Sequence, residues 1–287
     1  MNFEIEENIE REENLEIILV DLNVFQPYIL HNISHLHETG YHRITVITTR
    51  NIQKYFIFED VNLILSEELE DYYLNEKLND FYVNCGKRFF YIFSYMKKYD
   101  RKKCLHIEND VLLYQQLDNI SDHIYLTMDS EQRCIPGVVY IPEYKLLQDL
   151  IDKYDYTQND MINLASFYNN NRDIVKSFPI STTKLSDNFE RFGMIFDAAA
   201  IGQYLFGIDP KNTTQKHTEG FINETCVVKY NKYIFVWKYF NEMYRPYIII
   251  NDQLIPIFNL HIHSKRLHLL VNEKRIVNRY ISKILEI

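Results

Sequence analysis

The chain has 287 residues, of which 46% are apolar, 15% aromatic and 25% charged, which excludes a disordered or fibrous protein and suits one large domain or two small ones. Its net charge of −9 argues against a general nucleic-acid binder, which needs a basic surface to neutralise phosphates, and against attachment to anionic lipid. The longest apolar runs, such as Ile17–Val20 and Tyr247–Ile250, fall far short of the ~20 residues of a membrane span.

An acidic leader (Glu4, Glu6, Glu7, Glu10) matches neither a secretory signal nor a basic transit peptide. Leu15–Val20 then reads as a strand. Pro27 opens a helical pattern through Ile29, Ile33 and Leu36, with Gly40 as its stop, and Arg43–Thr48 reads as the next strand. This β-α-β opening predicts a parallel sheet with crossover helices. Val61–Leu65 follows as a third strand, Glu67–Asn79 as a polar helix, and Lys87–Tyr99 as a helix with Phe90, Phe93 and Met96 inward. Lys87 and Arg88 at its start suit a diphosphate, and suit a solvated helix face equally well.

The next segment, Cys104–Tyr114, carries the most chemistry. Apolar residues bracket two carboxylates, Glu108 and Asp110, on both sides. In an extended strand, side chains two apart point the same way, so both acids converge on one hard divalent cation. A solvated strand-end turn is the plainer reading. Against it stands the cost of burying unpaired carboxylates between Ile107 and Val111. Asp110 is the stronger ligand; Glu108 ligates directly or through water.

Further along, Cys134–Ile141 reads as a strand, Glu143–Tyr154 and Asn159–Tyr168 as helices, and Phe196–Phe206 as a helix that Gly207 ends. Asp197 stands at the mouth of that helix. It is either an N-cap or, with Gln203, a polar contact to sugar hydroxyls, the three alanines after it leaving clearance for a ligand. Glu224, in a turn, is a weaker choice for a catalytic base. Val227–Val236 and Pro246–Leu260 alternate like hairpin strands, and Glu273–Leu285 reads as a closing helix. Between them, Ile257–Leu267 sets His261 and His263 two residues apart with Lys265 beyond. Two imidazoles on one face point to metal ligation, with His263 favoured and His261 behind it; the plainer alternatives are core histidines and a surface Lys265–Arg266 pair. Lys265 suits a departing phosphate.

No repeat or linker interrupts the chain, so a single domain over 1–287 is expected, with a nucleotide-binding half about 15–115 and an acceptor and metal-completing half about 116–287. The four cysteines (Cys85, Cys104, Cys134, Cys226) lack Cys-x-x-Cys spacing and read as reduced, buried residues of a cytoplasmic protein. Seven glycines against 23 tyrosines hint at an AT-rich genome such as a viral one, which would extend the location to a host cytoplasm or a virion.

Taken in order, the β-α-β opening, arginine-bearing helix, acid-x-acid strand, aspartate-bearing helix and late histidine with lysine resemble a GT-A glycosyltransferase. Phe196–Pro210, Gly220–Thr225 and Asn259–Lys265 are also similar to glycosyltransferase-like proteins of bacteria and giant viruses, the likeness running from about Ile17 to Leu267. The resemblance implies an α/β fold, a Rossmann-like mixed sheet flanked by helices. It also implies Mn²⁺ or Mg²⁺ on the diphosphate of a nucleotide sugar, UDP-linked by preference, and a glycan, lipid or protein acceptor. Glu108-Asn109-Asp110 would stand as the Asp-x-Asp motif, with glutamate where many relatives have aspartate. His263, or else His261, would be the C-terminal histidine of the glycogenin and lipopolysaccharide galactosyltransferase group, and Lys265 its phosphate lysine. The shorter histidine-to-lysine spacing keeps that group's retaining stereochemistry from being carried over. The alternatives are a nucleotidyltransferase, disfavoured because Asp21–Gln26 lacks the glycines of a phosphate loop, and an idle nucleotide- or sugar-binding protein on the same scaffold.

Overall fold

A computed structural model describes residues 15–69, 80–118, 120–185, 187–209, 211 and 219–271, the side chains of 80–84 excepted. The acidic leader, most of the polar helix expected after Glu67 and the closing helix expected from Glu273 lie outside these residues.

The chain is an α/β protein built on a seven-stranded mixed sheet flanked by helices. Its first half runs β1 (Glu16–Asp21), α1 (Tyr28–Glu38), β2 (Ile44–Thr48), β3 (Val61–Leu65), α2 (Asp80–Lys98) and β4 (Lys102–Ile107). Strands β3-β2-β1-β4 lie side by side and parallel. β7 (Arg133–Glu143) then pairs antiparallel with β4 and with β6 (Ile124–Ser130), and β8 (Val175–Ser177) closes the far edge parallel to β6. Only β7 runs against the rest.

β1 is buried on both faces, so it reads as an unbroken apolar run. Ile17 and Leu19 pack with Ile29, Ile33 and Leu36 of α1 on one side. Ile18 packs with Phe89, Phe93 and Met96 of α2 on the other, together with α4 (Asp160–Asn170). Asn159 caps α4 by accepting from Ile162 N–H. The helix expected over Glu143–Tyr154 divides into a 3₁₀ turn at Tyr144–Leu147 and a short α3 (Gln148–Asp152).

A third cluster forms around the later elements: β5 (Val111–Leu113), α5 (Phe189–Phe192), α6 (Ala200–Phe206), β9 (Ile234–Phe240), β10 (Met243–Ile250), β11 (Gln253–Pro256) and β12 (Asn259–His261). β9, β10 and β11 form an antiparallel sheet. The first expected hairpin strand therefore begins at Ile234 rather than Val227, because Tyr230–Lys232 forms a 3₁₀ turn. β12 pairs antiparallel with β5, setting His261 opposite Val111.

Candidate metal and nucleotide site

Parallel α/β sheets place ligands at the carboxyl ends of their strands. Here a cleft of about 480 Å³ opens at the ends of β1 and β4, lined by Asp21, Arg88, Glu108, Asp110, His261 and Lys265 among others.

The acid pair converges through a turn and not through strand alternation. β4 ends at Ile107, and Val111 N–H donates to Glu108 O at 3.0 Å, folding Glu108–Asp110 back on itself. Asn109 causes the break, since its amide donates to Val20 O at 3.0 Å and to Asp21 Oδ1 at 3.3 Å, tying the turn to β1. Asn32 of α1 donates to Asn109 O at 3.1 Å from behind. Glu108 and Asp110 are left facing the cleft on one side of the turn.

The imidazole that meets them is His261. Its Nε2 lies 3.1 Å from Asp110 Oδ2 and 3.5 Å from Glu108 Oε2. One donor atom from each of the three residues falls within 4.8 Å of the others. His263 is not on the same strand face, because β12 ends at His261 and His263 N–H turns back to His261 O at 2.9 Å. His263 still lines the cleft, but its Nδ1 accepts from Asp209 N–H at 3.0 Å. Its pKa is pushed down to about 4 by burial and by the charges of His261 and Lys265, so the ring is neutral.

Charged residues alternate across the site. Arg88 donates to Glu108 Oε1 at 2.5 Å and to Asp160 Oδ2 at 2.6 Å, and its Nε holds Cys85 O at 2.8 Å. Lys265, in a turn with φ of 62°, reaches Asp110 Oδ2 with its ammonium. Burial by itself would raise Asp110, but His261 and Lys265 outweigh it and hold the carboxyl well below its usual range. Burial would lower His261, and the two carboxylates reverse that and raise it. Lys265 is likewise raised by Asp110 against burial.

Gln203 lines the cleft, and its buried Oε1 has no hydrogen-bond partner among the described residues. Lys87 does not line it, because successive helix residues point about 100° apart and Arg88 takes the inward direction. Asp197 lies behind α6 and outside the lining. Ala199 takes a left-handed φ of 61°, so the helix starts at Ala200 instead of Phe196. Asp197 then accepts N–H bonds from Ile201 (2.8 Å), Gly202 (2.8 Å) and His261 (2.9 Å). Glu224 is exposed, pairs with Lys229 at 3.4 Å and lies outside the lining.

Two site residues escape the sequence reading. Asp160 is an acid in the first turn of α4, a place where carboxylates are common, so nothing in the sequence sets it apart. Asp21 ends β1 as Glu108 follows β4, so the strand-end rule would have found it. Burial pushes its pKa up to about 7, Gln26 N–H opposing at 3.3 Å.

No family model matches the chain, and no curated protein does. Among solved structures it is similar to the apo-form glycosyltransferase GlyE of Streptococcus pneumoniae, at 13% identity over 62% of this chain with a TM-score of 0.38. That match spans only 50% of the GlyE chain. It is also similar to a glycosyltransferase involved in glycosylation of the major capsid of PBCV-1, at 10% identity over 57% of this chain and 81% of that one, TM-score 0.35. A third similar structure is the inositol-1-phosphate CTP transferase from T. maritima, at 13% identity over 57% and 84%, TM-score 0.36. Glycosyl and nucleotidyl transferases thus both stand among the similar structures.

Proposed function

We propose that the cleft is the active site of a metal-dependent transferase that moves a sugar from a nucleotide diphosphate donor, a UDP-sugar by preference, to a hydroxyl of a glycan, lipid or protein acceptor. The observation that carries this reading is the convergence of Glu108, Asp110 and His261 at the carboxyl ends of parallel strands. Two carboxylates and an imidazole suit Mn²⁺ or Mg²⁺, with positions left for phosphate oxygens. When bound, the ion would neutralise the diphosphate as the glycosidic bond loosens.

The chain's own residues divide the remaining work. Lys265, now paired with Asp110, carries its positive charge to the departing phosphate. Arg88, locked between Asp160 and Glu108, fixes the direction of the Glu108 carboxylate. Gln203 Oε1 accepts from a donor-sugar hydroxyl, relieving a buried acceptor that lacks a partner among the described residues. Asn109 holds the turn and lines the cleft beside Asp21, where it can meet the nucleotide. Asp197 is a positioning residue, since it grips the backbone of His261.

The test is a panel of nucleotide sugars assayed for release of free nucleotide with Mn²⁺, after EDTA, and after Mn²⁺ is restored. Release from one donor, abolished by chelation and regained with metal, is expected. Release that survives thorough chelation would contradict the scheme, and diphosphate released from a nucleoside triphosphate with a sugar phosphate would reassign the chain to nucleotidyl transfer.

A further inference from the structure

β9, at seven residues, is the longest open sheet edge among the described strands. The two-residue turn Asn241–Glu242, with φ of 48° and 61°, sets the ladder to β10. Phe240↔Met243, Lys238↔Arg245, Val236↔Tyr247 and Ile234↔Ile249 are then the pairs that exchange hydrogen bonds. The N–H and C=O groups of Phe235, Trp237 and Tyr239 therefore point away from β10, and among the described residues they have no backbone partner.

Edge strands of single-chain proteins are usually guarded by proline, a bulge or an inward charge. β9 has no proline and its register runs unbroken. Its single charge, Lys238, lies over the Tyr247 ring at 5.7 Å, across its own sheet. Large apolar groups stand open along the strand instead, with Ile234 65% exposed, Tyr239 64% and Phe240 56%.

We propose that β9 pairs antiparallel with β9 of a second copy about a two-fold axis through Trp237. In that register Phe235 faces Tyr239 of the second copy and Trp237 faces Trp237, so all three outward-facing residues on each strand find hydrogen-bond partners. Ile234 faces Phe240, and Val236 faces Lys238, so no like charges are opposed. Lys232 comes level with the turn that carries Glu242 of the second copy. Any other two-fold register leaves at least one outward-facing residue unpaired, and centring on Lys238 sets two lysines together. The result is one continuous six-stranded sheet. A strand pair buries less than the roughly 1,600 Å² of a standard interface, so the dimer is concentration-dependent.

Sedimentation velocity from low to hundreds of micromolar tests this, with far-UV dichroism confirming the fold of each variant. The wild type is expected to dimerise at the upper end. Ile234→Lys/Phe240→Lys, which changes two exposed side chains and sets like charges opposite each other, is expected to stay monomeric throughout. Ile234→Lys/Phe240→Glu, which sets opposite charges across the same pair, is expected to dimerise again. A wild type that is monomeric throughout, a dimer that survives the double lysine variant, or failure of the lysine–glutamate variant to associate would each overturn the proposal. The outcome is independent of the transferase reading.

Discussion

His261 Nε2 lies 3.1 Å from Asp110 Oδ2 although 151 residues separate them in the chain. Backbone contacts put it there: β12 pairs with β5, Ile262 N–H donates to Asp110 O at 2.8 Å, and Asp197 accepts from His261 N–H. The ring is therefore aimed at the carboxylates by the fold itself.

Gly202 tests that dependence. A Cβ at this position would sit 2.0 Å from His261 O and 3.0 Å from Asp197 Oδ2, so α6 and β12 would have to part. Gly202→Ala is expected to cost at least ~3 kcal/mol and to weaken metal binding. Gly137→Ala, whose Cβ would lie 3.2 Å from His261 Nδ1, asks only a small shift of the ring, and ~1 kcal/mol is expected. Urea unfolding of both variants checks the order.

Arg88 is the only cation within salt-bridge distance of both Glu108 and Asp160 among the described residues. Arg88→Ala would strand the buried Asp160 carboxylate and leave Glu108 with only the His261 ring, so a loss of about 3–5 kcal/mol is expected, with Arg88→Lys recovering only part because it lacks the two-pronged geometry. Denaturant unfolding gives the numbers. A cost under ~1 kcal/mol for Arg88→Ala would show that the network is not what orients Glu108.

Much of this arrangement was legible in the chain, for identifiable reasons. β1, α1, β2 and β3 announce themselves through apolar periodicity and the Pro27 and Gly40 signals, and the observed elements fall within a residue or two of the expected ones. Periodicity could not show that Asn109 breaks β4, because its partners, Val20 O and Asp21, lie 89 and 88 residues away. The choice between His261 and His263 likewise depended on where β12 ends, which its pairing with β5 decides. Asp197 was legible as a cap, but its third bond, to His261 N–H, comes from another element. β6 and β8 went unread.

Stability should fall in mild acid. Burial pushes the pKa values of His31 and His35 down to about 4, and His35 Nε2–H also donates to Leu113 O at 2.7 Å. Because the unfolded chain takes up these protons near pH 6.5, it binds more of them than the native state between there and pH 4. The stabilisation is complete above about pH 6.5 and is lost as the pH falls towards 4, on the order of 3 kcal/mol for fully buried His35. Unfolding measured from pH 7.5 to 4.5 should show this slope, and His35→Asn should flatten it even though the variant is less stable at neutral pH.

In the proposed function Glu108, Asp110 and His261 bind a divalent ion for a diphosphate. Electron paramagnetic resonance of free Mn²⁺, titrated with protein in the presence of UDP, tests it most directly. One ion bound per chain is expected in the wild type, lost in Asp110→Asn and His261→Ala and kept in His263→Ala. Undiminished binding in Asp110→Asn and His261→Ala, or loss in His263→Ala alone, would contradict it.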